Sequence, residues 1–463
     1  MGYRLVRALA RLLVSLFYRR VEAVGLDRIP ASGPLILTAN HQNALIDPML
    51  ILAATSRRLV MLAKAPLFRN PLFGPLLRLA GALPVQRQQD PGSDMAKNEA
   101  MFRSVIEALG RGGAILLFPE GLSQPKPTLM PLRTGAARML LGAERIAGEG
   151  LGLTLLPIGL VYHEPGAFRT GWALILVGKP VATSDCVALY PTAPEAAVRR
   201  LTERLAEALR HVMVEAEDQQ TLRLLQVVEE IWREESAASD AGAAARAAWM
   251  QRVMRGYRYL APRERARIER FRNEVERYVK DLDLAGFTGR QLSRTYTRRA
   301  VWRYAVREGL SLLLGLPLAL AGIANHLIPY QLTAAVVRRL KPDLDDEATY
   351  KVTAGVVLFP LCWLGEGWVA WWLGGGWLLA VFALSLAPAA FFALTWRERL
   401  DRFARETRAF LRFVVDRNLP RRLLARRRAL VDELTALARS VPESVLSGES
   451  PHPASPARGE EKR

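Results

Sequence analysis

The segment PLILTANHQNALIDP, residues 34–48, decides the fold prediction for the first part of the chain. An apolar run precedes His41, and Asp47-Pro48 then opens a second apolar run, MLILAA. Asp is favoured at a helix N-cap and Pro at the first helical position. The segment therefore predicts a strand, then a loop, then a helix that Asp47 caps.

This order of elements brings two residues of catalytic type within reach of each other. His41 follows the end of the strand and Asp47 stands at the mouth of the helix, so a loop that folds back lets carboxylate and imidazole meet. An imidazole oriented by a carboxylate can take a proton from a hydroxyl group, which is general base catalysis. The alternative is that Asp47 is only a cap and His41 an ordinary loop histidine.

Three later segments carry further short, strand-like runs that end in a charged residue or glycine. They are GALPVQR at 81–87, AILLFPEG at 114–121 and LLPIG at 155–159. Together with 41–47, and in this order, they resemble the four motifs of the phospholipid/glycerol acyltransferase family. The resemblance covers roughly residues 20–215.

The resemblance implies a role for each motif residue. His41 and Asp47 would be the catalytic pair, and Arg87 would supply a cation for the phosphate of the acceptor. Glu120 and Gly121 would bind the glycerol and phosphate groups, and Asn40 is a further candidate for substrate binding. The alternatives are a surface arginine after a strand for Arg87 and a first-turn helix acid for Glu120.

The resemblance also implies a reaction, the O-acylation of glycerol 3-phosphate or dihydroxyacetone phosphate by a fatty acyl thioester. Acyl-CoA or acyl carrier protein would be the co-substrate, with no cofactor. Two departures look similar to the branch that uses these acceptors: five residues separate His41 from Asp47 where many members have four, and Leu122-Ser123-Gln124 replaces Thr-Arg-Ser. A 1-acylglycerol 3-phosphate or another lysophospholipid remains an alternative acceptor. A non-catalytic lipid-binding or transport protein of the membrane is an alternative of another class.

Composition points to a membrane surface as partner. The 463 residues include 64 Lys and Arg against 45 Asp and Glu, a net charge of +19, and half are hydrophobic. No nucleic-acid-binding motif is present and the basic clusters flank apolar runs, so anionic membrane lipid is the expected partner and nucleic acid is not. Cys186 and Cys362 lie far apart, and the five histidines form no close cluster with them, which indicates neither a disulfide framework nor a metal site.

Residues 21–215 alternate strand-like and helical runs, which predicts an α/β domain with helices covering a sheet. The predicted strands are 34–39, 59–63, 81–85, 114–118, 153–161 and 173–178. The predicted helices are 48–55, 70–80, 95–110, 134–148 and 193–215. Residues 1–20 read as a basic amphipathic helix on the membrane surface, with an ordinary packing helix as the alternative.

The remainder of the chain divides by charge. Residues 216–308 form a charged helical segment, 309–396 an apolar region, 397–446 a basic cytoplasmic helix and 447–463 a tail of disordered composition. Both apolar runs have basic flanks on either side, so the positive-inside rule favours two hairpins that enter and leave by the cytoplasmic face. Gly374-Gly375-Gly376 makes a natural turn in the second hairpin.

The apolar region has consequences for localisation and for the division of the chain. We expect an integral membrane protein with its catalytic domain on the cytoplasmic face. Glu366 is the one acid inside the second apolar run, either a functional group or a residue at a helix break. All four motifs precede residue 160, so we expect the catalytic part to survive deletion of 309–463.

Overall fold

The computed structural model describes residues 2–86, 97–147, 150–163, 171–236, 242–285, 298–341, 347–416 and 418–447. Two compact units divide the chain. The first unit contains residues 1–223 with 242–247 and 342–352, and the second contains 224–241, 248–341 and 353–463. Arg87 and the tail from 448 onward, both subjects of predictions, lie outside the described residues.

A seven-stranded sheet forms the centre of the first unit. Its strands run β1 Arg20–Val24, β2 Leu35–Ala39, β3 Leu59–Lys64, β4 Leu83–Val85, β5 Ala114–Leu117, β6 Thr154–Tyr162 and β7 Trp172–Val177. The order across the sheet is β1-β7-β6-β2-β5-β3-β4, and every neighbouring pair is parallel except β6 with β7. The predicted α/β class is therefore confirmed, with β2 near the middle of the sheet.

Helices cover both faces of this sheet, which explains why its central strands β2, β5 and β6 are mostly apolar. They are α1 Gly2–Phe17, α2 Ile46–Ala54, α3 Phe73–Ala80, α4 Lys97–Gly110, α5 Gly135–Ala147, α6 Ser184–Leu189 and α7 Pro194–Val212. Along β2 the side chains alternate: Leu35 and Leu37 pack in the core with α1 and α2, whereas Ile36 packs in the core with α4, α5 and α7. Both cores exclude water, and β2 is buried along its whole length.

The six predicted strands and five predicted helices of this unit all occur, with ends shifted by a few residues. The sequence analysis missed β1, which pairs with β7 at the edge of the sheet. The predicted strand 153–161 is present as β6, which runs through Pro157 and Gly159 to Tyr162. A Cβ at Gly159 would lie 1.9 Å from the Val212 carbonyl oxygen, so this glycine allows the end of α7 to pack directly on the strand.

The predicted N-terminal helix is present as α1, and it packs on α2. The Arg7 Nε donates to the Leu52 carbonyl oxygen at 3.2 Å, and the Arg11 Nε donates to that of Ala53 at 3.1 Å. Both arginines thus complete the carbonyl end of α2, where cations are favourable. Leu5 and Leu12 stay exposed on the outer side of α1. For Arg7 and Arg11, the structure therefore supports the alternative that α1 is a packing helix. The exposed Leu5 and Leu12 form a separate apolar face.

Helices make up the second unit as far as it is described. They are the later part of α8 Gln219–Glu235, α9 Ala243–Leu260, α10 Arg265–Ala285, α11 Arg298–Leu340, α12 Glu347–Val415, α13 Leu419–Arg439 and α14 Glu443–Ser447, with short stretches of α9 and α12 belonging to the first unit. Arg427 of α13 is buried and pairs with Glu235 at 2.7 Å. Arg426, also of α13, pairs with Glu274 of α10 at 3.2 Å. These arginines of the basic segment therefore neutralise acids of the charged helical segment.

The first apolar run is not a hairpin. Residues 298–340 form one helix that continues through Pro317 and Pro329. The prediction of a hairpin in this run is therefore wrong. A proline inside a helix removes one backbone hydrogen bond and bends the helix without necessarily ending it. Groups on neighbouring helices can bond the carbonyl that the proline leaves free. A Cβ at Gly322 would lie 2.3 Å from the Ala389 carbonyl oxygen, which shows how closely the second arm of α12 packs on α11.

The second apolar run does turn where predicted. Gly374 and Gly375 leave the helical conformation, with φ +66° at Gly375, and divide α12 into two arms. A Cβ at Gly367 in the first arm would lie 3.2 Å from Leu379 in the second, so the arms fold back on each other. Glu366 lies inside an unbroken part of the first arm, so its placement at a helix break is wrong.

By length and composition, α11 and α12 are the two described helices that could cross a membrane. Only 17% and 6% of their most apolar windows are buried, so neither is the core helix of a soluble fold.

Candidate active site

The candidate site lies where three neighbouring strands end. β2, β5 and β6 are mutually parallel, so their carboxyl ends meet at one edge of the sheet. His41 follows β2, Glu120 follows β5, and Tyr162 is the last residue of β6. The topology of the sheet therefore brings these three strand ends together, although 79 residues separate His41 from Glu120 and 115 separate Asp47 from Tyr162.

His41 and Asp47 form the predicted pair. The His41 Nδ1 lies 2.8 Å from the Asp47 Oδ2, and the Asp47 side chain is fully buried. The prediction that Asp47 caps α2 is wrong, because the helix already begins at Ile46 with Leu45 as its N-cap residue. Asp47 lies in the first turn, which frees its carboxylate to turn back to the loop.

The imidazole is held at one nitrogen and over one ring face. With Nδ1–H donating to Asp47, the unprotonated Nε2 is the basic atom, and no described residue bonds to it. Phe118 stacks on the ring with 4.1 Å between centroids and 19° between planes. The side chain of His41 remains 18% exposed. Asp47 and Phe118 thus fix the position of the ring, and part of the side chain stays accessible.

The Asp47 carboxylate is surrounded by donors. The backbone N–H groups of Gln42 and Asn43 each donate to Oδ2 at 2.8 Å, and the Tyr162 hydroxyl donates to Oδ1. With the bond from His41, four hydrogen bonds meet this buried charge, as a buried ion requires. The carboxylate is therefore fixed in place and oriented toward the imidazole.

Two buried tyrosines contact the Asp47 carboxylate and the neighbouring Asn43. Burial raises the pKa of Tyr162 well above its ordinary value, and the charge of Asp47 raises it further, so the phenol stays protonated and donates. Tyr18 stacks on Tyr162 with 5.9 Å between ring centroids, and its hydroxyl accepts a bond from the Asn43 side chain at 3.0 Å. Burial likewise raises the pKa of Tyr18. Sequence reasoning found neither tyrosine, because both lie far from His41 in the chain.

Glu120 acts on the backbone of the site. Its Oε1 accepts the His41 backbone N–H at 2.9 Å, its Oε2 accepts that of Met130 at 3.0 Å, and the residue is 3% exposed. Burial raises its pKa, and the two backbone bonds oppose that rise. In the structure, Glu120 therefore holds the backbone of His41, and its contact with substrate stays a prediction.

Asn40 is also buried and bonded within the protein. Its side-chain amide donates to the Leu160 carbonyl oxygen at 3.1 Å and accepts the Leu160 N–H at 2.7 Å. These two bonds join the end of β2 to β6 and fix the point where the chain leaves the sheet. The predicted contact of Asn40 with substrate does not fit a side chain with no exposed surface.

Gly121 has a backbone conformation that favours glycine, with φ +79°. A Cβ there would lie 3.4 Å from the Arg133 side chain, which passes directly beside the third motif. Arg133 is exposed, and it has no ion-pair partner among the described residues. Its backbone N–H donates to the Pro119 carbonyl oxygen at 2.7 Å, so the cation is tied to the same loop. Sequence reasoning missed it because a lone arginine carries no pattern.

Arg87 cannot be placed, but the chain that leads to it can. The Gln86 backbone exchanges two hydrogen bonds with the Asn98 side chain, each of 2.9 Å. The segment is thereby anchored to the start of α4. Within the described part of the chain, no group of three His, Cys, Asp or Glu side chains is arranged as metal ligands would be.

Comparison with known proteins agrees with this site. Residues 20–161 match the family model Acyltransferase. An uncharacterised acyltransferase of Schizosaccharomyces pombe is 25% identical over 309 residues, 48% of this chain and 45% of that protein. Glycerol-3-phosphate O-acyltransferase 2 of Saccharomyces cerevisiae is 30% identical over 137 residues, 29% of this chain and 18% of that protein. A chloroplastic 1-acyl-sn-glycerol-3-phosphate acyltransferase of Brassica napus is 24% identical over 168 residues, 36% of this chain and 46% of that protein.

The first unit of this chain therefore contains an acyltransferase domain of the phospholipid/glycerol acyltransferase family. The chain spans less than half the length of each of these relatives.

Proposed function

We propose that this protein is a membrane-bound O-acyltransferase that moves a fatty acyl group from an acyl thioester to glycerol 3-phosphate. Dihydroxyacetone phosphate is the related acceptor. The observation that carries the proposal is the 2.8 Å contact between the His41 Nδ1 and a buried Asp47 carboxylate, on a histidine side chain that stays 18% exposed. The match of residues 20–161 to the acyltransferase family supports the reaction class.

The reaction follows from the geometry of the pair. The His41 Nε2 takes the proton of the acceptor hydroxyl, and the oxygen attacks the carbonyl carbon of the thioester. As the new ester C–O bond forms, the C–S bond breaks, and the imidazolium returns its proton to the departing thiolate. Asp47 compensates the charge on the imidazolium while it exists. The thioester is already activated, so the alcohol attacks directly and no serine or cysteine nucleophile is required.

The phosphate of the acceptor requires cations. Arg133 passes beside Gly121, and the resemblance assigns Arg87 to the same task. A guanidinium binds phosphate through two parallel hydrogen bonds, which fixes the acceptor as well as attracting it. We infer that these two arginines hold the phosphate while the hydroxyl faces His41. The yeast relative named as a glycerol-3-phosphate acyltransferase supports this acceptor.

An acceptor with one acyl chain already in place is the second candidate. The Brassica relative is named as a 1-acyl-sn-glycerol-3-phosphate acyltransferase, and such an acceptor shares the phosphate and the free hydroxyl. It differs because it enters from the bilayer. The apolar surfaces of α11 and α12 support membrane attachment of the protein, and the net charge of +19 supports an anionic lipid surface on the cytoplasmic side.

The experiment is an acceptor panel with purified full-length protein and a labelled acyl donor. Glycerol 3-phosphate, dihydroxyacetone phosphate and 1-acylglycerol 3-phosphate are offered in turn, each with acyl-CoA and with acyl carrier protein thioester. We expect the label to move to glycerol 3-phosphate in wild-type protein and not in His41→Ala. Faster transfer to the acylated acceptor would establish the second candidate. Failure of every acceptor in folded protein would reject acyl transfer to a glycerol phosphate.

A further inference from the structure

The catalytic loop receives a contact from a distant part of the chain. The backbone N–H of Leu45 donates to the hydroxyl oxygen of Thr349 at 3.1 Å. Leu45 immediately precedes α2 and lies two residues before Asp47, whereas Thr349 lies in the first turn of α12. The first residues of that helix, through Val352, belong to the same compact unit as the catalytic pair.

This first turn is part of the core of the acyltransferase domain. Ala348 has no exposed surface, and it lies in the same apolar cluster as Ile46 and Tyr162, with Val352 packed against that cluster. Glu347 and Lys351 form an ion pair of 2.6 Å along the outside of the turn. The turn is therefore fixed by packing, and it presents the Thr349 hydroxyl to the loop from a rigid position.

The loop needs such a support. Between His41 and Asp47, Ala44 has a φ of +26°, a conformation that a residue with a Cβ adopts only when its surroundings impose it. On one side of Ala44, the N–H groups of Gln42 and Asn43 are held by Asp47. On the other side, the Leu45 N–H donates to the Thr349 hydroxyl oxygen. The strained residue is thus bracketed by hydrogen bonds.

We propose that Thr349 is a positioning residue for the His41–Asp47 pair. Its hydroxyl, together with the buried Ala348, fixes the end of the loop from which α2 and Asp47 begin. Without this contact, the loop can relax around Ala44, and the carboxylate loses its alignment with the imidazole. Because misalignment affects the chemical step more than binding, the effect belongs in kcat.

The test replaces the hydroxyl without changing the shape of the side chain. Thr349→Val removes the acceptor of the Leu45 N–H, Thr349→Ser keeps it, and Thr395→Val is the matched control. Thr395 lies in the same helix α12, and its hydroxyl donates to its own backbone at Phe391, at 2.9 Å. Each full-length variant is assayed with acyl-CoA and glycerol 3-phosphate, and the substrate-free protein is followed by amide hydrogen exchange over residues 41–47.

We expect Thr349→Val to lower kcat by roughly three- to tenfold with both Michaelis constants unchanged, the size of effect that one lost hydrogen bond produces. Amide exchange in the loop should accelerate by a similar factor. Thr349→Ser should stay within about twofold of wild type in both measurements, because serine keeps the hydroxyl that accepts the Leu45 N–H. Thr395→Val should match wild type. Wild-type loop protection in Thr349→Val, or a serine variant as impaired as the valine variant, would overturn the inference.

The kinetic arm rests on the proposed function, but the exchange arm requires no substrate. If wild-type protein transfers no acyl group, the proposed function fails while the loop measurement still decides the positioning role. If wild type is active and loop exchange in Thr349→Val is unchanged, the positioning role fails while the proposed function stands.

Discussion

At the scale of single residues, the function proposed here depends on one nitrogen atom. The Nε2 of His41 is basic only while Asp47 holds the Nδ1 proton and Phe118 holds the plane of the ring. His41→Ala should therefore lower kcat by a factor of about 10²–10⁴, the contribution of a positioned general base. His211→Ala is the matched control, since His211 is exposed at the end of α7. Retention of more than about a tenth of the wild-type rate in His41→Ala would contradict base catalysis of this size.

Tyr162 tests whether the donors around Asp47 matter for catalysis. Tyr162→Phe keeps the ring that stacks on Tyr18 and removes only the hydroxyl that donates to Asp47. One lost hydrogen bond to a charged group corresponds to about 1.5–3 kcal/mol. We expect a kcat reduced by roughly tenfold or more and a lower thermal midpoint. Unchanged kcat together with a lowered midpoint would restrict Tyr162 to a structural role.

The two arginines assigned to phosphate should affect acceptor binding. Arg133→Ala and Arg87→Ala should each raise the Michaelis constant for glycerol 3-phosphate, because a phosphate-binding cation acts before as well as during the chemical step. The Michaelis constant for the acyl donor should not change. Arg111→Ala, which removes an exposed arginine after α4, serves as the control. A change confined to the acyl donor would show that the phosphate assignment is wrong.

At the scale of secondary structure, α1 has two faces with different predicted roles. Arg7 and Arg11 complete the carbonyl end of α2, whereas Leu5 and Leu12 remain exposed. Arg7→Ala should lower the free energy of unfolding by about 1 kcal/mol and leave vesicle binding unchanged. Replacing Leu5 and Leu12 by Ser should weaken binding to anionic vesicles and leave stability nearly unchanged. Vesicle co-sedimentation measures membrane binding, and thermal melts measure stability. If Arg7→Ala weakened vesicle binding and left stability unchanged, the basic face would contact the membrane, as the sequence predicted.

Most elements of the acyltransferase domain were predictable because their signals are local. A strand buried on both faces is mostly apolar, and the runs at 35–39, where Thr38 is the one polar residue, and 114–117 have that property. The pairing of His41 with Asp47 was predictable for the same reason, since one loop contains both residues. The cap assignment failed because Asp-Pro occurs equally at an N-cap and in a first turn, and only the contacts of the carboxylate distinguish the two.

Two of the contacts that sequence reasoning missed are long-range. Tyr162 reaches Asp47 across 115 residues, and Thr349 reaches Leu45 across 304. Neither residue belongs to a motif or a periodic pattern, so a single sequence carries no signal for either contact. The hairpin predicted for the first apolar run failed for another reason. It depended on the charges that flank the run, and these charges do not determine whether Pro317 and Pro329 end a helix.

At the scale of the whole molecule, the catalytic unit is not one continuous piece of chain. It includes residues 242–247, where Arg246 pairs with Glu22 at 2.8 Å, and the first turn of α12. Deletion of 309–463 removes Ala348 and Thr349 from the core around the catalytic loop. The structure thus revises the expectation that the catalytic part survives such a truncation.

Two truncated chains test this revision. A chain that ends at residue 308 should lose most of its acyl transfer in detergent micelles, although all four motifs are present. A chain that ends at 352 retains every segment of the catalytic unit and should have the higher activity of the two. Both are compared with full-length protein at equal concentration and after circular dichroism has shown that they fold. Equal activity of the two truncations would show that the first turn of α12 is dispensable.

The interrupted catalytic unit also sets an order of events during biosynthesis. A ribosome releases the chain from the N-terminus, so the sheet and its motifs emerge long before residue 347. The acyltransferase core lacks Ala348 until the apolar helix 298–340, which precedes it in the chain, has left the ribosome. The last segment added to the catalytic unit is thus the first turn of the helix that begins the second apolar run. A newly made chain therefore completes its catalytic unit only when the first turn of α12 has followed the first apolar helix out of the ribosome.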